Sequence, residues 1–168
     1  MHPDDPRAIF LEPMQFLCAE TVFASYVEQA RRTQDILVVS WYDECRLSVE
    51  LQRAVEFYHG IFHLCERYRS YSSLLLALAA STGIGPLRSG ADAERAIVEA
   101  ASLSGRGLFL AGVEQLQPKH FAALRGFHRE VPFMVLTSSS SEPLDWAKDE
   151  STGGHFSSRT IFLDLHDQ

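Results

Sequence analysis

The sequence contains no apolar run near the roughly 18 residues of a membrane-spanning helix. Its first ten residues, MHPDDPRAIF, carry no secretory pattern. Its three cysteines, Cys18, Cys45 and Cys65, make neither an even set nor a Cys-x-x-Cys pair, which excludes a disulfide framework and a cysteine-based zinc half-site. The expectation is a cytoplasmic chain with reduced thiols and no membrane contact. Positive charge is also short, with 15 Lys and Arg against 22 Asp and Glu and a net charge of −7. That balance excludes a generic electrostatic grip on DNA or an anionic membrane and leaves room only for a local basic patch. No His-Glu-x-x-His spacing is present, and His59 and His63 straddle Gly60, where a helix is expected to end; no metal site is expected. A phosphatase loop, Cys-x5-Arg, is missing too, because Leu51 stands six residues beyond Cys45 and Tyr71 six beyond Cys65.

What is present is an ordinary globular composition, 46% hydrophobic and 22% charged over 168 residues, enough for one domain with a sizeable core. Residues 1–20, with Pro3, Pro6 and Pro13, read as an extended entry segment, and 21–168 as one domain. Val22, Phe23, Tyr26, Val27 and Ala30 paint one helical face over 21–32, and Arg31 and Arg32 suit the negative end of that helix. The wholly apolar stretch 36–39 fits a strand buried on both faces. Leu47, Leu51, Val55 and Tyr58 then recur at helical spacing up to Gly60. Further strands are expected at 61–65, 107–111, 132–138 and 160–165. Helices are expected at 72–81, from Ser89-Gly90 onward, and from Pro118 onward, where a first turn tolerates proline. Short apolar strands alternating with helices predict a three-layer α/β fold, a five-stranded parallel sheet with helices on both faces.

The turn after the first strand carries the question of function. A strand running straight into a helix is where many α/β proteins hold phosphate, with the form G-x-x-x-x-G-K-[ST]. The corresponding stretch here is Ser40-Trp41-Tyr42-Asp43-Glu44-Cys45-Arg46-Leu47. Ser40 and Cys45 replace the glycines, Arg46 the lysine, and Leu47 the hydroxyl that would ligate magnesium. Asp43 and Glu44 add negative charge where a triphosphate would lie, a contact costing on the order of 1 kcal/mol at ~4 Å even in water. The turn reads as a vacated phosphate loop.

The stretch GLFLAGVEQLQPKHFAALRGFHREVPFMVLTSS resembles the Walker B to sensor-1 segment of AAA+ ATPases. Ala111-Gly112 fall where that family has Asp-Glu, and Thr137 or Ser138 falls at sensor-1. FSSRTIFLDL resembles the segment whose arginine reaches into a neighbouring subunit, which makes Arg159 the candidate trans-acting residue. Together with RAIFLEPMQF, DILVVS and SSLLLALAASTGI, the chain resembles transposition ATP-binding proteins of the phage Mu B and transposon target-selector type over roughly residues 7–165. The resemblance implies a P-loop NTPase (RecA/AAA+ type) fold with the first strand between the fourth and fifth. It also implies ATP as cofactor, assembly into filaments or rings on DNA, and a transposase partner. Against the family pattern, the Walker A and Walker B residues are replaced, and no helical lid domain is expected before Gln168.

Magnesium-dependent hydrolysis needs a hydroxyl and carboxylates, which Leu47, Ala111 and Gly112 do not supply. The expected function is therefore a catalytically inactive pseudo-ATPase without cofactor. It would act as a scaffold or regulatory partner of an intact AAA+ relative or a mobile-element protein, with oligomers among the expected states. Two rival readings are a nucleotide-binding protein without hydrolysis, Arg46 replacing lysine, and an unrelated α/β enzyme using Cys45. The ordinary reading of Cys45 is a small buried residue. Arg67 and Arg69, interleaved with Tyr68 and Tyr71 in ERYRSY, are candidate nucleic-acid contacts. Trp41 and Tyr42, expected in an exposed turn, would either fill the emptied pocket or anchor a partner.

Overall fold

The computed structural model describes residues 22–41, 43–140 and 160–165. The entry segment 1–20, Tyr42, and the polar stretch with Arg159 lie outside them. Helix α1 (Val22–Thr33) leads into β1 (Ile36–Ser40), then α2 (Glu44–Phe57), β2 (Ile61–Leu64), α3 (Tyr71–Ser81) and α4 (Gly90–Ser104). β3 (Leu108–Ala111), a single 3-10 turn (Val113–Gln115), α5 (Pro118–His128), β4 (Met134–Ser138) and β5 (Thr160–Asp164) follow. The expected elements are all present, with ends displaced by a residue or two.

The sheet is five-stranded, in the order β2-β3-β4-β1-β5, and every pairing is parallel. β1 therefore lies between β4 and β5, the order the family resemblance implies. Handedness explains the layers. The β1-to-β2 connection crosses the sheet in one direction and the β2-to-β3 and β3-to-β4 connections cross in the other. Right-handed crossovers must then lie on opposite faces. Leu37 and Val39 on β1 accordingly share one core with Phe23 and Val27 of α1 and Leu47 and Leu51 of α2. Ile36 and Val38 share the other with Leu74 and Leu78 of α3, Ile97 of α4 and Phe121 of α5.

Close packing has tied two glycines to aromatic neighbours. A Cβ on Gly60 would overlap the Phe109 ring, and one on Gly107 would overlap the Phe133 ring, with Cε1 at 2.5 Å. Phe109 and Phe133 themselves meet edge to face, ring centres 5.7 Å apart. On the same side of the sheet, α1 is clamped to the end of α2. The Tyr58 hydroxyl donates to Glu28 Oε2 at 2.5 Å, while Arg31 Nη2 donates to Glu28 Oε1 at 2.7 Å.

Candidate functional site

In an open α/β sheet, ligands bind outside the carboxyl ends of strands, where the strand order reverses. Here that point is the crevice between the ends of β1 and β4. The ladder closes tightly beyond the last paired residues, because the Trp41 N–H donates to Ser138 O at 2.9 Å and the Leu165 N–H donates to Ser40 O at 2.9 Å.

The turn that follows is short, and its described side chains cap the helix or join the core. Asp43 is the N-cap of α2 and its Oδ1 accepts the Arg46 N–H at 3.0 Å. That N–H is one of the free helix-start donors that a phosphate would otherwise take. Leu47, at the position of the magnesium-ligating hydroxyl, is 5% exposed and packs in the α1/α2 core. Trp41 corrects the expectation of an exposed turn: it is 3% exposed and belongs to the same core. The physical reason is strand parity, since Leu37, Val39 and Trp41 project to one face. The Arg46 guanidinium carbon lies 5.4 Å from the centre of the Trp41 ring, a cation–π distance. Arg46, the cation expected near a phosphate, is thus drawn onto an aromatic face.

The opposite wall shows a matching replacement. Ala111 is half-buried, and Gly112 has φ +68°, a left-handed conformation in which a glutamate would be strained by about 1–2 kcal/mol. Thr137 is fully buried, its Oγ1 without a hydrogen-bond partner among the described residues. Ser138 is also fully buried, and its Oγ accepts the Ser140 N–H at 3.1 Å. Neither sensor-1 position offers its hydroxyl at the surface. The structure therefore brings Ser40, Arg46, Leu47 and Thr137 to one end of the sheet, with Ala111 and Gly112 one strand farther along.

The cysteines separate. Cys45 is exposed, which corrects its reading as a buried residue. The phase of α2 accounts for this, because Leu47, Leu51 and Ala54 face inward and Cys45 falls about 200° from Leu47 around the helix. Cys65 is buried, and desolvation pushes its thiol up to about 12, the opposite of an activated nucleophile. No group of three or more His, Cys, Asp and Glu is placed to hold a metal among the described residues. No described helix is long and apolar enough to cross a membrane.

Arg67 and Arg69 lie exposed in the connection from β2 to α3, at the same end of the sheet but on its outer edge. Arg67 Nε donates to Gln115 Oε1 at 3.4 Å, and Lys119 Nζ donates to Arg69 O at 2.9 Å. Lys119, at the start of α5, is a cation that no sequence motif linked to this arginine pair. Between the arginines, Tyr68 turns inward to His63.

No family model matches the sequence, and no curated protein is significantly similar to it. Solved structures are similar in fold. A chain in the structure of Drosophila ORC bound to AT-rich DNA and Cdc6 superposes with a TM-score of 0.59 at 14% identity, covering 95% of this chain and 57% of that one. A chain of Drosophila ORC bound to GC-rich DNA and Cdc6 gives 0.58 at 13% identity, with 99% and 60% covered. A chain of Drosophila ORC bound to DNA gives 0.57 at 14% identity, with 96% and 94% covered. This protein thus spans about three fifths of the length of the first two chains. At 13–14% identity the likeness shows the fold alone, the parallel AAA+-like α/β fold expected from the sequence; none of the three is a transposition protein.

Proposed function

We propose that this chain is an AAA+-like core that neither binds nor hydrolyses ATP and serves as a scaffold or regulatory subunit in a DNA-associated protein assembly. The observation that carries this reading is the self-satisfied turn: Asp43 accepts the Arg46 N–H, and the Arg46 side chain lies over the ring of the buried Trp41. A triphosphate would have to displace the Asp43 carboxylate and approach Glu44, and its magnesium would meet Leu47 and Ala111 in place of a hydroxyl and a carboxylate. Several ligands are lost together, and no single substitution supplies them again.

The choice of partners is supported by the company the fold keeps, since the similar ORC chains are seen with DNA and with Cdc6. In this reading the protein partner is an intact AAA+ relative or a protein of a mobile element, as the sequence resemblance implies, and nucleic acid is a second partner. A scaffold of this kind engages its partners independently of nucleotide. The affinity for a labelled DNA duplex should be the same within twofold without nucleotide, with magnesium-ATP and with magnesium-ADP, and no phosphate release should accompany binding. An affinity that changes tenfold with ATP would remove the reading.

A further inference from the structure

Beneath the β2-to-α3 connection the hydrogen bonds run in one direction, and each proton can be assigned. The Ser81 hydroxyl donates to Ala77 O at 3.1 Å. Its oxygen is then the acceptor for His63 Nδ1–H at 2.7 Å. That tautomer leaves His63 Nε2 as an acceptor, and the Tyr68 hydroxyl donates to it at 2.6 Å. His63 is 5% exposed, and burial disfavours its charged form, so the neutral ring that this chain of bonds requires is the favoured one. The Tyr68 ring also meets His120 edge to face, ring centres 6.5 Å apart.

The backbone of the same connection is tied at both ends. The Cys65 N–H donates to Ala111 O at 2.8 Å, and Arg69 O accepts from Lys119 Nζ. Ordering an irregular segment costs backbone entropy, and a passive link needs none of these ties. What they accomplish is to hold Tyr68 inward and leave Arg67 and Arg69 exposed on either side of it. Guanidinium pairs grip phosphate oxygens in bidentate fashion, and a fixed pair loses less freedom on binding than a mobile one. Fixing matters here. The chain carries −7 overall, Glu66 directly precedes Arg67, and Glu114 directly precedes Gln115, the Arg67 partner; a loose arginine would turn to them.

We infer that the Ser81–His63–Tyr68 relay is a latch that presets Arg67 and Arg69, with Lys119 beside them, as a grip for a phosphodiester backbone. The inference rests on the DNA-associated part of the proposed function and names the surface that performs it. Tyr68, His63 and Ser81 are positioning residues, and the cations make the contact.

Two readouts on the full chain test the latch and the grip separately. Hydrogen exchange at residues 66–70 reports the latch. Fluorescence anisotropy with a fluorescein-labelled 20-mer duplex and with the matching single strand, at about 50 mM salt, reports the grip. Tyr68→Phe keeps the ring and removes the hydroxyl that bonds His63; it should speed exchange at 66–70 and weaken binding several-fold, with the melting temperature changed little. Arg67→Ala with Arg69→Ala should leave exchange unchanged, weaken binding at least tenfold, and lower the salt slope by about 2. Whichever probe binds wild type more tightly identifies the source of the backbone. Unchanged exchange in Tyr68→Phe overturns the latch, and equal affinity in the double variant, or wild type binding neither probe, overturns the grip. Neither failure touches the absence of ATP turnover, which phosphate release measures independently.

Discussion

Replacing Trp41 with alanine separates a plugged turn from an open phosphate loop. The side chain is 3% exposed and packs with Leu47, Leu51 and Val39. Truncating a buried tryptophan costs about 3–5 kcal/mol through lost transfer energy and the cavity left behind. Loss of the Arg46 contact, 5.4 Å from the ring centre, adds ~0.5–1 kcal/mol. Against these, the indole Nε1 has no hydrogen-bond partner among the described residues, so its removal relieves a buried donor and returns about 1 kcal/mol. The net is about 2.5–5 kcal/mol, a large share of the ~5–15 kcal/mol that holds a domain together. Urea unfolding followed by far-UV circular dichroism should show a midpoint lowered by about 1.2–2.5 M at an unchanged slope near 2 kcal/mol/M. Trp41→Phe, which keeps the apolar contact, should fall within about 1 kcal/mol of wild type. In an open loop the residue would be a surface side chain, and Trp41→Ala would stay within about 0.5 kcal/mol. A midpoint shift below about 0.3 M would refute the plug.

Acid stability should depend on Glu28, whose carboxyl is lowered from 4.5 to about 2, chiefly by the Arg31 hydrogen bond and further by Tyr58. A depressed carboxylate stabilises the fold above its unfolded pKa, and that contribution fades as pH falls from 4.5 to about 2. Glu28→Gln should flatten the fall in stability over that window, and a variant curve parallel to wild type would exclude the clamp. Gly107→Ala forces a Cβ into the Phe133 ring and should cost about 1–3 kcal/mol through overpacking, read as a lower melting temperature. A neutral result there would mean that Phe133 has room to move.

Much of the fold was legible because hydrophobic period and strand length agree at every element. Ile36, Leu37, Val38 and Val39 form an unbroken apolar run, and β1 is an interior strand covered on both faces. The departures of this turn from a phosphate loop, the missing glycines, lysine and hydroxyl, are chemical facts that need no coordinates. Burial of Trp41 in the α1/α2 core runs against the exposed turn that the polar residues after it, Asp43 and Glu44, suggest. The signal was available in the alternation Leu37, Val39, Trp41, which continues the inward face of β1 by one residue. The same neglect of phase misplaced Cys45, which stands off the Leu47–Leu51–Ala54 stripe. The relay beneath Arg67 and Arg69 left no trace in local sequence, as Ser81 reaches His63 from 18 residues away. Arg159 falls outside the described residues.

In the proposed function the tips of β1 and β3 offer a triphosphate and its metal no adequate ligands. Isothermal titration of the purified chain with magnesium-ATP at millimolar concentration meets that claim directly. The expected trace is the heat of dilution alone, for wild type and for Arg46→Ala alike. Saturable heat in wild type that disappears in Arg46→Ala would place a nucleotide on that arginine and contradict the account.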